Sequence, residues 1–301
     1  MGLSEAFGFE ERWLRLLLKI VPSAPLLLSR EHLRQPDGMS EAQYNLGGIG
    51  NRQVLALRDW ALGMGILIPK PDGRLLLSDF GALVNLYDPE LEEFATFWAI
   101  HHRLCVQESI WFYGYYANTM QPGRFSRADL RGCLAAGKPQ SDSVLDTRTL
   151  PPLLQTMSRT KLGVELGLLA PCGGQSYERR APDPSRLSPT TLAYLVVDWC
   201  RSRTRTTVNV RELLEPGAPG RYLGLAAEDL SEMLRRVQDR FSGTVLTISH
   251  TAGLNSVAMG QPFEALALLE CEYLARLRKL EPPEALRQAL ELTSTRTKGE
   301  I

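Results

Sequence analysis

Between residues 48 and 87 the spacing of apolar side chains changes period twice. Gly48-Ile49-Gly50-Asn51-Arg52-Gln53 runs into Val54, Leu57, Ala61 and Leu62, which recur at helical spacing. This predicts a helix with Asn51 as its N-cap and a stop near Gly63 and Gly65, where backbone freedom suits a C-cap. Two short apolar runs, Ile66-Leu67-Ile68 and Leu75-Leu76-Leu77, then flank the polar turn Pro69-Lys70-Pro71-Asp72-Gly73-Arg74 and predict a β-hairpin. Ser78 is placed to cap a further helix. Helix, hairpin and helix with Lys70 and Arg74 at the tip is the pattern of a winged helix-turn-helix. A plain helix and hairpin with a solvated turn fits the same pattern.

From Pro89 to Tyr116 the chain is dense in aromatic residues: Phe94, Phe97, Trp98, Trp111, Phe112, Tyr113, Tyr115 and Tyr116. Rings that stack on bases stand exposed among basic residues, and here only Arg103 and two histidines offer positive charge, so these rings read as core. Gly167-Leu168-Leu169-Ala170-Pro171 echoes Gly65-Ile66-Leu67-Ile68-Pro69 and suggests a second winged-helix-like passage over 145–180. Pro182 to Pro189, rich in proline and serine, reads as a linker. Beyond it Ser188-Pro189 opens a helix with Leu192, Leu195, Val196 and Trp199 on one face, and Leu230, Met233, Leu234 and Val237 mark another over 228–238. Amphipathic stretches at 263–279 and 283–293 close the chain. The expected fold class is therefore mainly α with short β-hairpins, as tandem winged helix-turn-helix-like units around a helical core. The expected domains are 1–181, holding the winged unit and the aromatic core, and 188–301.

Composition narrows the function. The 301 residues are 44% hydrophobic and 23% charged, enough for real cores, and 34 basic residues balance 34 acidic ones. With no net field, binding to nucleic acid must come from local patches. One such patch is Arg201, Arg203, Arg205, Arg211 and Arg221, set against only Glu212 and Glu215. The loop Pro216-Gly217-Ala218-Pro219-Gly220-Arg221 lacks the Lys-Ser/Thr of a P-loop. The five cysteines are odd in number, widely spaced and without a CxxC pair, which argues against a disulfide framework and against structural zinc. No run reaches the roughly 20 apolar residues of a membrane span, and Met1-Gly2-Leu3-Ser4-Glu5 shows no signal-peptide pattern, so a soluble cytoplasmic protein is expected.

Little compact chemistry is visible. HExxH, GxSxG and Walker A patterns are absent, which removes zincin, serine hydrolase and NTPase readings. His101-His102 point about 100° apart on a helix and could share a metal only with a third ligand from elsewhere, so one buried and one exposed imidazole is expected. His32 and His250 are isolated. Nuclease chemistry stays open, because its metal-binding carboxylates can come from distant parts of a chain.

Several pieces together resemble a bacterial family encoded beside DNA phosphorothioation genes, the group of SspB-like nicking proteins. Gly48-Ile49-Gly50-Asn51-Arg52-Gln53-Val54, then Leu57-Arg58-Asp59-Trp60 and Leu67, resemble its glycine-led recognition helix. Asp88-Pro89-Glu90-Leu91-Glu92 followed by Thr96-Phe97-Trp98-Ala99-Ile100-His101 resembles its central aromatic helix. Gly217-Ala218-Pro219-Gly220-Arg221 and Thr251-Ala252-Gly253-Leu254 resemble two C-terminal motifs. At the N-terminus Phe7, Gly8, Glu10 and Arg15 align with the family pattern, while Phe9 stands where that pattern has histidine.

The resemblance implies a DNA-binding component of a phosphorothioation, phage-defence system that nicks one strand with Mg²⁺ or Mn²⁺. It also implies partners: double-stranded DNA, a cysteine desulfurase, an ATP pyrophosphatase-like sulfur transferase and an ATPase. Glu10 and Asp59 are the candidate catalytic carboxylates, each with an ordinary surface or ion-paired carboxylate as its alternative. Asn51, Arg52, Gln53, Arg58, Lys70, Arg74, Arg201, Arg203, Arg205 and Arg221 are the candidate DNA contacts, with Arg52 and Gln53 in the major groove and Lys70 and Arg74 on phosphate. A non-catalytic subunit that recruits the modification enzymes and a protein-protein adaptor are the competing readings. A homodimer is expected by analogy with two-fold DNA sites.

Overall fold

The computed structural model describes residues 6–23, 49–107, 110–138, 140–181, 183, 185–251, 254–260 and 264–298. His32 and the 252–253 part of the Thr251–Leu254 motif lie outside them. The chain divides into two compact units, Met1–Ala181 and Pro182–Ile301.

In the first unit α1 (Glu11–Ile20) buries Trp13, Leu14, Leu17 and Leu18 on one stripe. Helix α2 (Asn51–Gly63) ends where Gly65 takes a left-handed φ of 67°, and β1 (Leu67–Pro69) pairs antiparallel with β2 (Leu75–Leu77). The hairpin feeds α3 (Asp79–Tyr87), whose N-cap Ser78 accepts the Gly81 N–H at 2.9 Å. Helix capping differs from the sequence expectation at one end. Gly50, not Asn51, is the N-cap of α2, and the Gly50 N–H donates to Gln53 Oε1 at 3.0 Å. Asn51 is the first helical residue, because the Gln53 side chain already satisfies that orphan amide.

Helices α4 (Phe94–Val106) and α5 (Trp111–Thr119) form the aromatic centre. Phe97, Trp98, Phe112, Tyr113 and Tyr116 are all at most 1% exposed, so the stretch is core as its composition predicts. Asp88 begins it: its carboxylate accepts the Glu92 and Glu93 N–H groups at 2.8 and 3.1 Å and the Thr96 hydroxyl at 2.6 Å. That carboxylate closes the loop into α4, which gives the Asp88 and Thr96 motif positions a structural role.

The rest of the unit runs β3 (Gly123–Ser126), α6 (Arg127–Gly137), a helical turn Asp142–Val144, a π-helical turn Leu145–Thr149, α7 (Leu150–Arg159), α8 (Lys161–Glu165), β4 (Ala170–Pro171) and β5 (Ser176–Arg179). The sheet order is β3-β5-β4, all antiparallel, so the early strand flanks the second hairpin strand. Gly167 precedes this hairpin with φ 65°, matching Gly65 before the first one. Leu168 and Leu169, part of the echo in sequence, stay outside the strand and are buried.

The second unit repeats this order. It runs α9 (Pro189–Ser202), β6 (Thr207–Asn209), a 3-10 turn Glu212–Leu214, α10 (Pro219–Leu223), α11 (Ala227–Arg240), β7 (Leu246–Thr251) and β8 (Leu254–Met259), with sheet order β6-β8-β7. Helices α12 (Leu266–Arg278) and α13 (Pro282–Lys298) follow and pack against each other. The molecule is thus mostly helical with small antiparallel sheets. Among the described residues no helix is long and apolar enough to cross a membrane.

Candidate nucleic-acid interface

The N-terminal segment Phe7–Glu10 is fixed from two sides within the first unit. The Trp60 indole on α2 donates to Phe7 O at 3.0 Å, and Arg52 lies 5.9 Å over the Phe7 ring. On the other side Gly8 N–H donates to Gln155 Oε1 at 3.2 Å and Phe9 N–H to Thr156 Oγ1 at 2.9 Å, both on α7. Phe9 itself is 1% exposed, 6.4 Å from Trp60 ring to ring. The phenyl group at the position where the family pattern has histidine is a core side chain here.

The candidate carboxylates each have an arginine on their own segment. Glu10 is 2.8 Å from Arg12 Nε, and Asp59 is 2.6 Å from Arg58 Nη2. Among the described residues no group of three or more His, Cys, Asp or Glu side chains could hold a metal ion. A divalent ion needs several hard oxygen ligands. Glu10 and Asp59, each facing a guanidinium, do not supply that set.

The candidate DNA contacts fall into two groups. On α2 Asn51 and Arg52 are exposed at the first turn, Gln53 is half-buried through its bond to Gly50, and Arg58 is held against Asp59. Lys70 and Arg74 are both exposed at the hairpin tip, where the Lys70 N–H donates to Arg74 O at 2.8 Å. Arg74 is also 3.6 Å from Asp72, a weak exposed pair. The structure therefore carries Asn51 and Arg52 on the helix before a hairpin tipped by Lys70 and Arg74, as the sequence pattern anticipates.

In the second unit three of the candidate arginines are already engaged. Arg201 pairs with Glu264 at 2.7 Å, Arg205 pairs with Glu212, and Arg203 covers the Trp199 ring at 4.4 Å. Trp199 in turn donates to Gly217 O at 2.6 Å, so the 216–221 loop is tied to α9, and Arg221 lies inside the short helix α10. Sequence counting saw five arginines against two glutamates in this stretch, and Glu264, more than forty residues away along the chain, could not enter that count.

The histidine pair needs correction. Both His101 and His102 are buried, at 1% and 0%, rather than one inside and one out. His101 Nδ1 meets the Tyr113 hydroxyl at 2.9 Å, and α4 is covered on several sides, so both faces 100° apart lie inside. Burial pushes the neighbouring Cys105 thiol and the Tyr113 phenol well up from their ordinary values, so both stay protonated at neutral pH.

Sequence reasoning missed Arg127 and Arg159, which line a groove of about 410 Å³ between α7 and the β4–β5 hairpin. Their one sequence signal was position, at the first residue of α6 and the last of α7, and β3 and β4 are too short to show a strand pattern.

Helices surrounding small antiparallel sheets, each ending in a hairpin beside a helix, define a class of mainly α proteins built from repeated helix–hairpin units. Within that class, a family model for a protein of unknown function, DUF4007, matches residues 5–273, and the chain belongs to that family. The fold is that of SspB. A magnesium ion-bound SspB crystal structure is 22% identical with a TM-score of 0.71, and the match covers 95% of both chains. A further SspB crystal structure is 20% identical, with the same TM-score of 0.71 and 95% coverage of both chains. No curated protein matches the chain.

Proposed function

We propose that this protein is the double-stranded DNA-binding component of a DNA phosphorothioation system. The single observation that carries the reading is the SspB fold over 95% of both chains, with Arg52, Lys70 and Arg74 exposed on a helix and the hairpin that follows it. The two helix–strand–helix–helix–hairpin repeats, with sheet orders β3-β5-β4 and β6-β8-β7, support winged helix-turn-helix units. Helix α2 with the β1–β2 hairpin, a separate two-stranded sheet, has the same helix-then-wing order; in this reading α2 meets the bases in the major groove and Lys70 and Arg74 meet the phosphate backbone. The partners in this reading are the desulfurase, the sulfur transferase and the ATPase of the system, and a two-fold DNA site would bind a homodimer.

Two activities follow from the same surface. The resemblance to phosphorothioation-linked nicking proteins supports cleavage of one strand with Mg²⁺ or Mn²⁺. The ion pairs Glu10–Arg12 and Asp59–Arg58, which compete with a cation for both carboxylates, favour a subunit that binds and recruits. Incubation with supercoiled plasmid and Mn²⁺ or Mg²⁺, beside a gel-shift lane, separates them. A shifted band with intact plasmid supports the recruiting subunit, chelator-sensitive open-circular product supports the nickase, and neither product nor shift refutes DNA binding.

A further inference from the structure

We propose that the groove between α7 and the β4–β5 hairpin is a second binding site for the phosphodiester backbone of duplex DNA, with Arg127 and Arg159 as its phosphate contacts. It rests on the DNA-binding reading above and places a contact surface where no family motif lies.

The groove, about 410 Å³, is lined by Arg127 and Arg159 together with Gln155, Ser158, Ser176 and Tyr177. Among the described residues no carboxylate lines it. The other grooves described, along α13 and beside α11, each include glutamates: Glu291 and Glu284 in the former, Glu228 and Glu232 in the latter. Several arginines of the first unit face an acid: Arg12 pairs with Glu10, Arg58 with Asp59, Arg131 with Asp142 and Asp146, and Arg180 with Glu178. Arg127 and Arg159 have no carboxylate within ion-pair distance among the described residues. Asp129, the acid nearest Arg127 in sequence, is turned back onto Ser126, whose N–H and hydroxyl both donate to it at 2.8 Å.

Placement adds to charge. The Arg127 N–H donates to Gln175 O at 2.8 Å, which fastens the start of α6 to the hairpin wall. At the hairpin tip Gly173 and Gly174 have φ of 88° and 58°, and a Cβ on either would meet nothing within 4 Å, so a ligand backbone can approach closely there. Two guanidiniums in one groove suit phosphate oxygens, because arginine presents a planar fork of N–H groups that matches their geometry. Residues of α7 and of the β4–β5 hairpin are the two walls of this groove, with Arg127 at the start of α6 beside them.

The test is fluorescence anisotropy of a labelled duplex across a salt series with the full chain. The pair R127Q and R159Q is expected to weaken binding about tenfold and to flatten the slope of log K against log salt by about 1.8, since each neutralised phosphate contributes about 0.9. The pair R127K and R159K keeps the charge and is expected to keep the slope. A wild-type slope in the glutamine pair overturns this site and leaves the DNA-binding reading standing. Equal loss in the lysine and glutamine pairs also overturns it, because charge is then not the cause. No salt-dependent binding by the wild-type chain removes both. Protection from phenylglyoxal gives a readout that needs no variant: duplex DNA is expected to shield Arg127 and Arg159, and unchanged modification at both contradicts the site.

Discussion

Phe9 shows how one side chain changes the reading of a motif. The sequence aligns Phe7, Gly8 and Glu10 with a family pattern and leaves Phe9 as a departure. The structure places that ring in the core against Trp60, with its N–H bonded to Thr156. Replacing Phe9 by Ala is expected to cost about 3–5 kcal/mol, the usual range for a buried aromatic, read as a lower urea midpoint. An unchanged midpoint would mean the segment is not docked. Cysteine reactivity follows burial in the same way. Cys200 and Cys271 are buried, with their thiols pushed up to about 11 and about 12, so iodoacetamide at neutral pH is expected to label exposed Cys172 first, read by peptide mass spectrometry. Prior labelling of Cys271 would contradict the packing of α12.

Exposed and half-buried carboxylates set the acid response. The side-chain hydrogen bond from Lys19 holds Glu90 below the usual carboxylate range, that from Arg180 does so for Glu178, and the Asn209 N–H does so for Glu212. A group whose folded pKa is depressed contributes stability above its unfolded pKa and loses it as pH falls through the folded value. The melting temperature is therefore expected to hold level above about pH 5 and to fall between about pH 5 and 3. A melting temperature that rises over this interval would contradict these pairings.

Among the elements, the helix–hairpin–helix of α2, β1, β2 and α3 was legible because each piece carries its own punctuation. Gly65 supplies a left-handed turn, the Asp72-Gly73 tip reverses the strands and Ser78 caps the next helix. Ser78→Ala is expected to lower stability by about 1 kcal/mol, measured by denaturant unfolding. Its hydroxyl also donates to Gly65 O, so this cap joins the hairpin at both ends. The sheets β3-β5-β4 and β6-β8-β7 were not legible. Three of their four edge strands run only two to four residues, Ala170–Pro171 and Thr207–Asn209 among them, too short for alternation to rise above chance. Local spacing likewise showed where Asn51, Arg52, Lys70 and Arg74 stand, but not that Glu264 neutralises Arg201. Ion pairs across long sequence separations are set by packing and leave no local pattern. At this scale Arg52→Ala is expected to relax sequence discrimination, whereas Lys70→Ala should weaken binding evenly and lower the salt slope by about one. Equal effects on cognate and random duplexes from both variants would contradict the division of roles between α2 and the hairpin.

For the whole molecule, 34 positive and 34 negative groups leave no overall field to pull DNA in, so any affinity rests on where local cations lie. The first unit holds the proposed phosphate contacts Lys70, Arg74, Arg127 and Arg159, while three arginines of the second unit are occupied by glutamates or a tryptophan ring. The most direct test of the DNA-binding claim is equilibrium binding of the wild-type chain to a labelled duplex between about 50 and 200 mM salt. The account predicts saturable binding whose log K falls linearly with log salt, at a slope of about 3 to 4 for four phosphate contacts. Absence of binding at the low-salt end, or binding indifferent to salt, would contradict it.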